Sequence, residues 1–252
     1  RCGDDPLSKI RGKVYLVGAG PGAADLVTLR AARLLAQADI VFHDALVNPE
    51  LLELARQAER VEVGKRCGQF SAHQSEINRL LIAAAKVHDC VVRLKGGDPM
   101  MFGRAQEEMD ALEASGIEFE VVPGVTAALA ASADLKVSLT NRGVSRHVVF
   151  VTPRAAPGAP PNDWIAPVLR ADTAAIYMGS SEAPHLAQTL ISQGRAADTP
   201  VVLVTNASLP NRSARHLHLG MLAVLPSAEL EGPVLILIGE VYRKGLTVTD
   251  KS

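Results

Sequence analysis

Short apolar runs alternate with amphipathic stretches through the first half of the chain. Strand-like runs lie at 14–17, 40–42, 61–63, 91–94 and 119–122. Between them, apolar residues recur with helical spacing at 25–35, 49–56, 75–86 and 104–114. Because strands that alternate with helices pair in parallel, this pattern predicts a parallel α/β sheet.

The composition of the chain changes after Gly143. Strand-like runs resume at 148–151, 174–178, 201–204 and 234–238, and a helical stretch lies at 184–193. Prolines crowd residues 153–167, which favours a surface loop or lid in that region. We therefore predict two α/β domains, comprising residues 12–144 and residues 145–243.

The fourth strand-like run ends in the loop Gly96-Gly97-Asp98-Pro99. Two glycines let a ligand approach the bare main chain, and Pro99 stops the strand. Asp98 adds a carboxylate that can accept hydrogen bonds from a ribose hydroxyl or an ammonium group. Because open α/β sheets bind ligands at the carboxyl ends of their strands, this loop is a candidate binding site. The simpler alternative is an ordinary strand-to-helix connection.

Bulk composition narrows the classes of partner. The 252 residues carry a formal net charge of -1, which gives no general attraction for nucleic acid. Aromatic residues make up 4% of the chain, too few for a platform that stacks single-stranded bases. No apolar run reaches the length of a bilayer span, so we expect no membrane insertion. The three cysteines lack metal or disulfide spacing, which favours a cytoplasmic protein without a bound metal.

A second glycine loop, Gly18-Ala19-Gly20-Pro21-Gly22-Ala23, follows the first strand-like run. It matches the dinucleotide-binding pattern, and Asp44 lies about twenty residues further on, as that pattern requires. Pro21, however, removes a backbone N–H group that would help to cradle a pyrophosphate. The loop by itself leaves three interpretations open: NAD, another nucleotide-like ligand, or a structural turn.

Several charged side chains follow predicted strands or begin predicted helices. Asp44, at the end of a strand, is suited to be a general base or a helix cap. Lys65 belongs to a basic pair that either grips carboxylates or is simply solvated. Arg104 opposes the dipole at the start of a helix, which suggests an acidic ligand or pairing with Glu107 or Glu108.

Seven motifs occur in order along the chain: Val17-Gly-Ala-Gly-Pro-Gly22, Asp44-Ala-Leu-Val47, Gly64-Lys-Arg-Cys-Gly68, Gln74-Ser-Glu-Ile-Asn78, Val92-Arg-Leu-Lys-Gly-Gly-Asp-Pro99, Val122-Pro-Gly-Val-Thr-Ala127 and Leu139-Thr-Asn-Arg-Gly143. Together they resemble the motifs of the tetrapyrrole methylases, over about residues 12–243. The resemblance implies two α/β domains with S-adenosylmethionine in the cleft between them, and usually a homodimer. It also implies that the loop at Gly18 lines the active cleft without holding a pyrophosphate.

The resemblance further implies roles for individual residues. The methyl donor, which leaves as S-adenosylhomocysteine, contacts positions that match Pro21, Gly96, Gly97, Asp98, Met101, Thr126, Ala127, Met178 and Ala207, several of them through the backbone. The acid/base positions of the family fall on Asp44 and Lys65. Arg104, Glu107 and Arg142 match positions that meet the tetrapyrrole or its protons.

Within the family, the motifs at 64–66 and 93–99 favour the member that methylates uroporphyrinogen III twice. The product, precorrin-2, feeds the synthesis of sirohaem, cobalamin or haem d1. A ring carbon attacks the sulfonium methyl group, and a proton then leaves the macrocycle. Asp44 and Arg104 are the candidate proton acceptors. Because arginine is normally fully protonated, Arg104 is better suited to hold a carboxylate with two parallel hydrogen bonds.

The chain departs from the family pattern on the tetrapyrrole side. Gly103-Arg-Ala-Gln-Glu-Glu108 replaces Gly-Arg-Gly-Gly-Glu-Glu, and Thr140-Asn-Arg142 replaces Thr-His-Arg. A methylase of a later precorrin is therefore one alternative. A NAD-dependent oxidoreductase built on the loop at Gly18 and on Asp44 is another, from a different enzyme class. That second alternative leaves the loop at Gly96 unexplained.

Overall fold

The computed structural model describes residues 12–63, 74–154, 163–226, 229–230 and 232–245. The chain divides into two compact units, residues 1–126 and residues 127–252. Each unit contains one five-stranded sheet. The predicted α/β fold with two sheets is therefore confirmed.

The first unit contains a parallel sheet with strand order β3-β2-β4-β1-β5. Its strands are β1 (Lys13–Gly18), β2 (Ile40–His43), β3 (Glu59–Glu62), β4 (Cys90–Lys95) and β5 (Phe119–Val122). Its helices are α1 (Leu29–Gln37), α2 (Pro49–Leu52), α3 (Gln74–Ala85) and α4 (Ala105–Ala114), and a 3-10 turn spans Ala24–Leu26. All four residues of β2 are buried, as expected for a parallel strand that is covered on both faces.

Alternate residues of each central strand supply two different hydrophobic cores in this unit. On β4, Val91 packs with α3 and α4 on one face of the sheet. Val92 and Leu94 pack with α1 and α2 on the opposite face. The period-two alternation of a strand explains this division. It also places Arg93 and Lys95 on the same face as Val91.

The second unit contains a mixed sheet with strand order β6-β7-β10-β8-β9. Its strands are β6 (Val148–Val151), β7 (Thr173–Ile176), β8 (Pro200–Thr205), β9 (Ser213–His218) and β10 (Val234–Gly239). Its helices are α5 (Ala127–Leu135), α6 (Ile165–Arg170), α7 (Ala183–Ser192) and α8 (Leu219–Leu222), with 3-10 turns at Ser180–Glu182 and Glu240–Tyr242. Strands β7 and β8 both pair antiparallel with β10, so their carboxyl ends lie at the same edge of the sheet.

The structure departs from the sequence-based expectations at two places in this unit. The division between units falls after Thr126, earlier than the predicted boundary between 144 and 145, because alanines of α5 pack into the core under β7, β8 and β10. Helix α6 begins inside the stretch that was predicted to be a loop. Pro167 is tolerated there because it lies in the first turn, where its missing N–H group breaks no helical hydrogen bond. Among the described helices, none combines the length and the apolar character that a bilayer span requires.

Candidate active site

The loops that follow β1, β4 and β5 meet backbone to backbone at one edge of the first sheet. Gly20 and Gly97 exchange two hydrogen bonds, of 3.1 Å and 2.7 Å between N and O. A Cβ atom on Gly18 would lie 2.6 Å from Gly124 Cα, and one on Gly124 would collide with the carbonyl oxygen of Gly97. Glycine is therefore required at 18 and 124 because the three main chains touch.

Asp98 joins two of these loops through its carboxylate. Oδ1 accepts a hydrogen bond from the backbone N–H of Met100 at 2.8 Å, and Oδ2 accepts one from Gly124, also at 2.8 Å. This side chain therefore fixes the loop after β4 against the loop after β5. Both carboxylate oxygens keep lone pairs that a bound molecule can use.

Gly96 differs from the other glycines of this edge. Its φ angle lies outside the left-handed range, and a Cβ atom there would meet no atom within 4 Å. Neither the backbone conformation nor packing within the described chain thus demands glycine at this exposed position. A molecule that approaches the main chain closely would account for it.

The other positions assigned to the donor by resemblance have varied surroundings. Pro21 and Met101 are half-buried in loops of the first unit, and Thr126 is buried at its end. Asn48 Nδ2 donates to the carbonyl oxygen of Gly22 at 2.9 Å, which ties the Pro21 loop to the start of α2. This bond holds the Pro21 loop against the segment that contains Asp44.

Three predicted contacts of the methyl donor belong to the second unit, one in a helix and two in the loops that follow strands. Ala127 is the first residue of α5. Met178 follows β7 with a left-handed φ of 55° and is exposed, whereas Ala207 follows β8 and is buried. Met178 and Ala207 share an edge of the sheet because β7 and β8 run in the same direction. Ser208, the residue after Ala207, donates its N–H to Asp134 at 2.7 Å.

Asp44 lies at the end of β2, where its side chain is 32% exposed. Its Oδ1 accepts a hydrogen bond of 2.6 Å from Nη2 of Arg93, a side chain only 3% exposed on the neighbouring strand. The structure thus supports a role for Asp44 beyond capping a turn. It is a carboxylate in contact with solvent on one side and with a buried cation on the other.

Arg93 belongs to a cluster of buried charges between the sheet and helices α3 and α4. Glu108 on α4 is fully buried, and its Oε1 accepts from Arg93 Nε at 3.1 Å, from Lys95 Nζ at 2.9 Å and from Gln74 Nε2 at 3.1 Å. Burial lowers the pKa of Lys95 below its ordinary value of 10.5, and the positive charge of Arg93 lowers it further. We refer to Asp44, Arg93, Lys95 and Glu108 as the buried charge cluster.

Arg104 and Glu107 form a separate, exposed pair at the start of α4. The guanidinium donates from Nε and Nη2 to the two carboxylate oxygens, at 2.7 Å each. Pairing raises the pKa of Arg104 above its ordinary range and lowers that of Glu107. Of the two partners predicted for Arg104, Glu107 is the one observed. Arg104 itself caps the helix with a left-handed φ of 57°, without a side-chain capping bond.

Of the two remaining predicted site residues, Arg142 and Lys65, only Arg142 lies among the described residues. Arg142 is exposed in the turn closed by the Asn141–Ser145 bridge of the second unit. Lys65 lies outside the described residues, so its catalytic role stays a prediction. Within the described ranges, no group of three or more His, Cys, Asp or Glu side chains is arranged to hold a metal ion.

The sheet order argues against the dinucleotide interpretation of the first glycine loop. In dinucleotide-binding sheets, the strand that ends in the acidic residue lies beside the strand that precedes the glycines. Here β4 lies between β1 and β2, which separates Asp44 from that loop by roughly two strand spacings, or about 10 Å. The N–H groups of Ala19 and Gly20 also donate to carbonyls of Lys95 and Gly97, so neither points at a pyrophosphate.

Arg93, Lys95 and Glu108 were not among the predicted site residues, although Glu108 was one of two partners expected for Arg104. The sequence does contain a pattern that points to them, because Arg93 and Lys95 interrupt an apolar strand and lie two positions apart. Residues with that spacing face the same side of a strand, and buried cations require anionic partners. The sequence alone did not reveal that the partner is Glu108, because that depends on where α4 packs.

Comparison with known proteins agrees with this architecture. Residues 13–223 match the sequence model of the tetrapyrrole (corrin/porphyrin) methylases. A siroheme synthase of Zymomonas mobilis subsp. mobilis is 45% identical over 232 residues, which cover 92% of this chain and 49% of that protein. The chain therefore spans about half the length of the curated relatives it matches.

Solved structures extend the comparison to the fold. The uroporphyrin-III C-methyl transferase of Thermus thermophilus complexed with S-adenyl homocysteine is 40% identical, with a TM-score of 0.80, and the match covers 92% of this chain and 100% of that one. A cobalt precorrin-4 methyltransferase is 28% identical, with a TM-score of 0.79, over 91% of this chain and 95% of that one. The resemblance seen in the sequence is thus confirmed, and this chain belongs to the tetrapyrrole (corrin/porphyrin) methylases.

Proposed function

We propose that this protein transfers methyl groups from S-adenosylmethionine to ring carbons of uroporphyrinogen III, twice in succession, to give precorrin-2. The main support is the match to the uroporphyrin-III C-methyl transferase of Thermus thermophilus, a structure complexed with S-adenyl homocysteine that this chain covers in full at 40% identity. The siroheme synthase names of longer relatives agree with a place in sirohaem synthesis, although those proteins are about twice as long.

In this proposal the donor is held mainly by main-chain groups at the sheet edges. The contacts comprise Pro21, Gly96, Gly97, Asp98, Met101, Thr126, Ala127, Met178 and Ala207. The unexplained glycine at 96 supports the assignment, because a donor lying against that main chain would leave no room for a side chain. The paired loops and the Asp98 bonds hold the contact surface rigid before the donor arrives, which lowers the entropic cost of binding.

The tetrapyrrole is an electron-rich macrocycle that carries many carboxylates, and Arg104, Glu107 and Arg142 are its proposed contacts. Glu107 occupies the Nε and Nη2 edge of the Arg104 guanidinium, and Nη1, which has no acceptor among the described residues, is left for a substrate carboxylate. Since this pairing raises the pKa of Arg104, we assign Arg104 to orientation of the substrate and not to proton removal.

Methyl transfer itself requires alignment and one proton acceptor. A ring carbon supplies the electron pair for the new C–C bond, and the S–CH3 bond breaks so that the sulfonium becomes a neutral thioether. The proton then passes from the macrocycle to Asp44, the half-exposed carboxylate of the site, with Lys65 as the second acid/base group. Holding both reactants in line supplies much of the acceleration. The proposal also includes a homodimer, which the resemblance implies, and a place in the cytoplasm, which three cysteines without disulfide spacing favour.

The decisive experiment is anaerobic incubation of the chain with uroporphyrinogen III and S-adenosylmethionine, with the product mass as readout. A gain of two methyl groups is the expected result, and Asp44→Asn should reduce it strongly. No gain, with S-adenosylhomocysteine still bound in calorimetry, would contradict uroporphyrinogen III as the substrate. It would favour the alternative, a methylase of a later precorrin, which the cobalt precorrin-4 methyltransferase structure supports by its nearly equal TM-score of 0.79.

A second experiment tests the donor site without catalysis. Gly96→Val adds a side chain whose Cβ atom meets no described atom within 4 Å, so its melting temperature should match the wild type while its affinity for S-adenosylhomocysteine falls at least tenfold. Gly96→Ala should give a smaller loss. Unchanged affinity in Gly96→Val would remove the loop after β4 from the donor site. Asp98 is less suited to this test, because substituting it also removes its two hydrogen bonds, including the one that holds the loops after β4 and β5 together.

A further inference from the structure

Strand β4 places two cations where an α/β protein ordinarily places valine or leucine. The side chains of Arg93 and Lys95 are only 3% and 4% exposed. Removing charged groups from water is costly, and buried ion pairs can often be replaced by apolar residues without loss of stability. Stability alone therefore gives no sufficient reason for this arrangement.

The charges of the cluster balance only when Asp44 is included. Arg93 and Lys95 face a single fully buried carboxylate, Glu108, and both of them bind the same oxygen, Oε1. Its other oxygen, Oε2, is buried without a hydrogen-bond partner among the described residues. The second negative charge is that of Asp44, the one member of the cluster that reaches solvent appreciably.

Arg93 is the physical link between these two carboxylates. Its Nε donates to Glu108 Oε1 at 3.1 Å and its Nη1 to the carbonyl oxygen of Leu94 at 3.2 Å. These two bonds fix the plane of the guanidinium, and Nη2 is thereby aimed at Asp44 Oδ1, 2.6 Å away. In the described part of the chain, Asp44 Oδ2 has no hydrogen-bond donor and remains available to a reacting proton.

We propose that Arg93, oriented by Glu108, is a positioning residue that holds the Asp44 carboxylate aligned for proton removal from the tetrapyrrole. The inference rests on the proposed function, in which Asp44 is the proton acceptor. An arginine suits this task because it stays protonated and cannot compete for the proton. A lysine at 93 has no planar fork with which to bridge two carboxylates.

The test is a double-mutant cycle on turnover. Arg93→Met should lower kcat at least tenfold while KM for the tetrapyrrole and affinity for S-adenosylhomocysteine change less than about threefold. In an Asp44→Asn background, the same change should cost less than about twofold, because the carboxylate that Arg93 positions is already gone. Arg93→Lys should recover part of kcat. Arg79→Met, which removes an exposed arginine paired with Glu76, is the matched control and should leave kcat unchanged.

An equal fold-loss in kcat from Arg93→Met in both backgrounds would overturn the inference. A merely structural role of Arg93 would lower kcat by the same factor whether or not residue 44 is a carboxylate. An inactive wild type would instead contradict the proposed function. The positioning role can then still be tested by a crystal structure of Arg93→Lys with S-adenosylhomocysteine, in which the position of the Asp44 carboxylate is measured. The Asp44 carboxylate should be displaced or disordered there, and an Asp44 carboxylate unchanged from the wild type would refute the role. Arg93→Lys keeps a buried cation opposite Glu108, so it also serves if Arg93→Met does not fold.

Discussion

Glu107 and Glu108 are neighbours on α4, and each forms an ion pair with an arginine, but their surroundings differ completely. Glu107 is half exposed and pairs with Arg104 three residues earlier. Glu108 has no exposed surface and pairs with Arg93 and Lys95 on the sheet. One turn of helix therefore carries an exposed glutamate, whose ion pair water can replace, and a glutamate that is buried from water.

The difference shows that distance alone does not determine what an ion pair does. The Arg104–Glu107 contact, at 2.7 Å, is shorter than the Arg93–Glu108 contact at 3.1 Å. Solvent screening nevertheless makes exposed pairs worth about 0–1 kcal/mol, whereas removing one partner of a buried pair leaves an uncompensated charge. This contrast agrees with the proposal that Glu107 takes part in substrate binding, and it gives Glu108 a fixed place in the structure.

The largest expected effect is the loss of stability in Glu108→Ala. This change leaves Arg93 and Lys95 buried without their carboxylate partner. The free energy of unfolding, measured by chemical denaturation, should therefore fall by about 3–5 kcal/mol. Glu107→Ala is the matched control on the same helix turn and should lose no more than about 1 kcal/mol. Similar losses in the two variants would show that water reaches Glu108 and that the two glutamates do not differ in this way.

A smaller effect, on function and not on stability, is expected from Arg104→Ala. If its guanidinium holds a substrate carboxylate, KM for the tetrapyrrole should rise roughly tenfold, while the melting temperature and donor affinity stay close to wild type. Arg79→Ala removes an exposed arginine in the same i, i+3 arrangement and should leave KM unchanged. A normal KM in Arg104→Ala would exclude Arg104 from substrate binding.

Much of the fold could be predicted from the sequence, because burial produces local patterns of apolar and polar residues. Each strand-like run lies within or overlaps an observed strand, and the loops that exchange hydrogen bonds at Gly20 and Gly97 both appear in the sequence as short glycine motifs. These features depend on short stretches of chain. The insertion of β4 between β1 and β2 depends on the packing of distant segments, and the dinucleotide interpretation failed for that reason.

The same limit applies to Glu107 and Glu108. Helical spacing predicted a helix over both residues, and Arg104 was expected to pair with either one. Only the placement of α4 on the sheet turns Glu108 toward Arg93 and leaves Glu107 in solvent. The sequence indicates that a buried charge requires a partner of opposite charge. Which of the two adjacent glutamates is buried depends on how α4 packs against the sheet.

The smallest expected effect concerns pH and the remaining cation of the cluster, Lys95. Burial lowers its pKa in the folded state, so between that lowered value and the ordinary value of 10.5 the unfolded chain binds the proton that the folded chain has lost. The stability of the wild type relative to Lys95→Met should therefore rise with pH in the alkaline range below 10.5. Denaturation at a series of pH values measures this difference. A fall over the same window would mean that Glu108 holds the Lys95 proton more tightly than burial expels it. Glu107 has the same sign of dependence in the acid range, because a carboxyl with a lowered pKa adds stability that is lost as pH falls through that value.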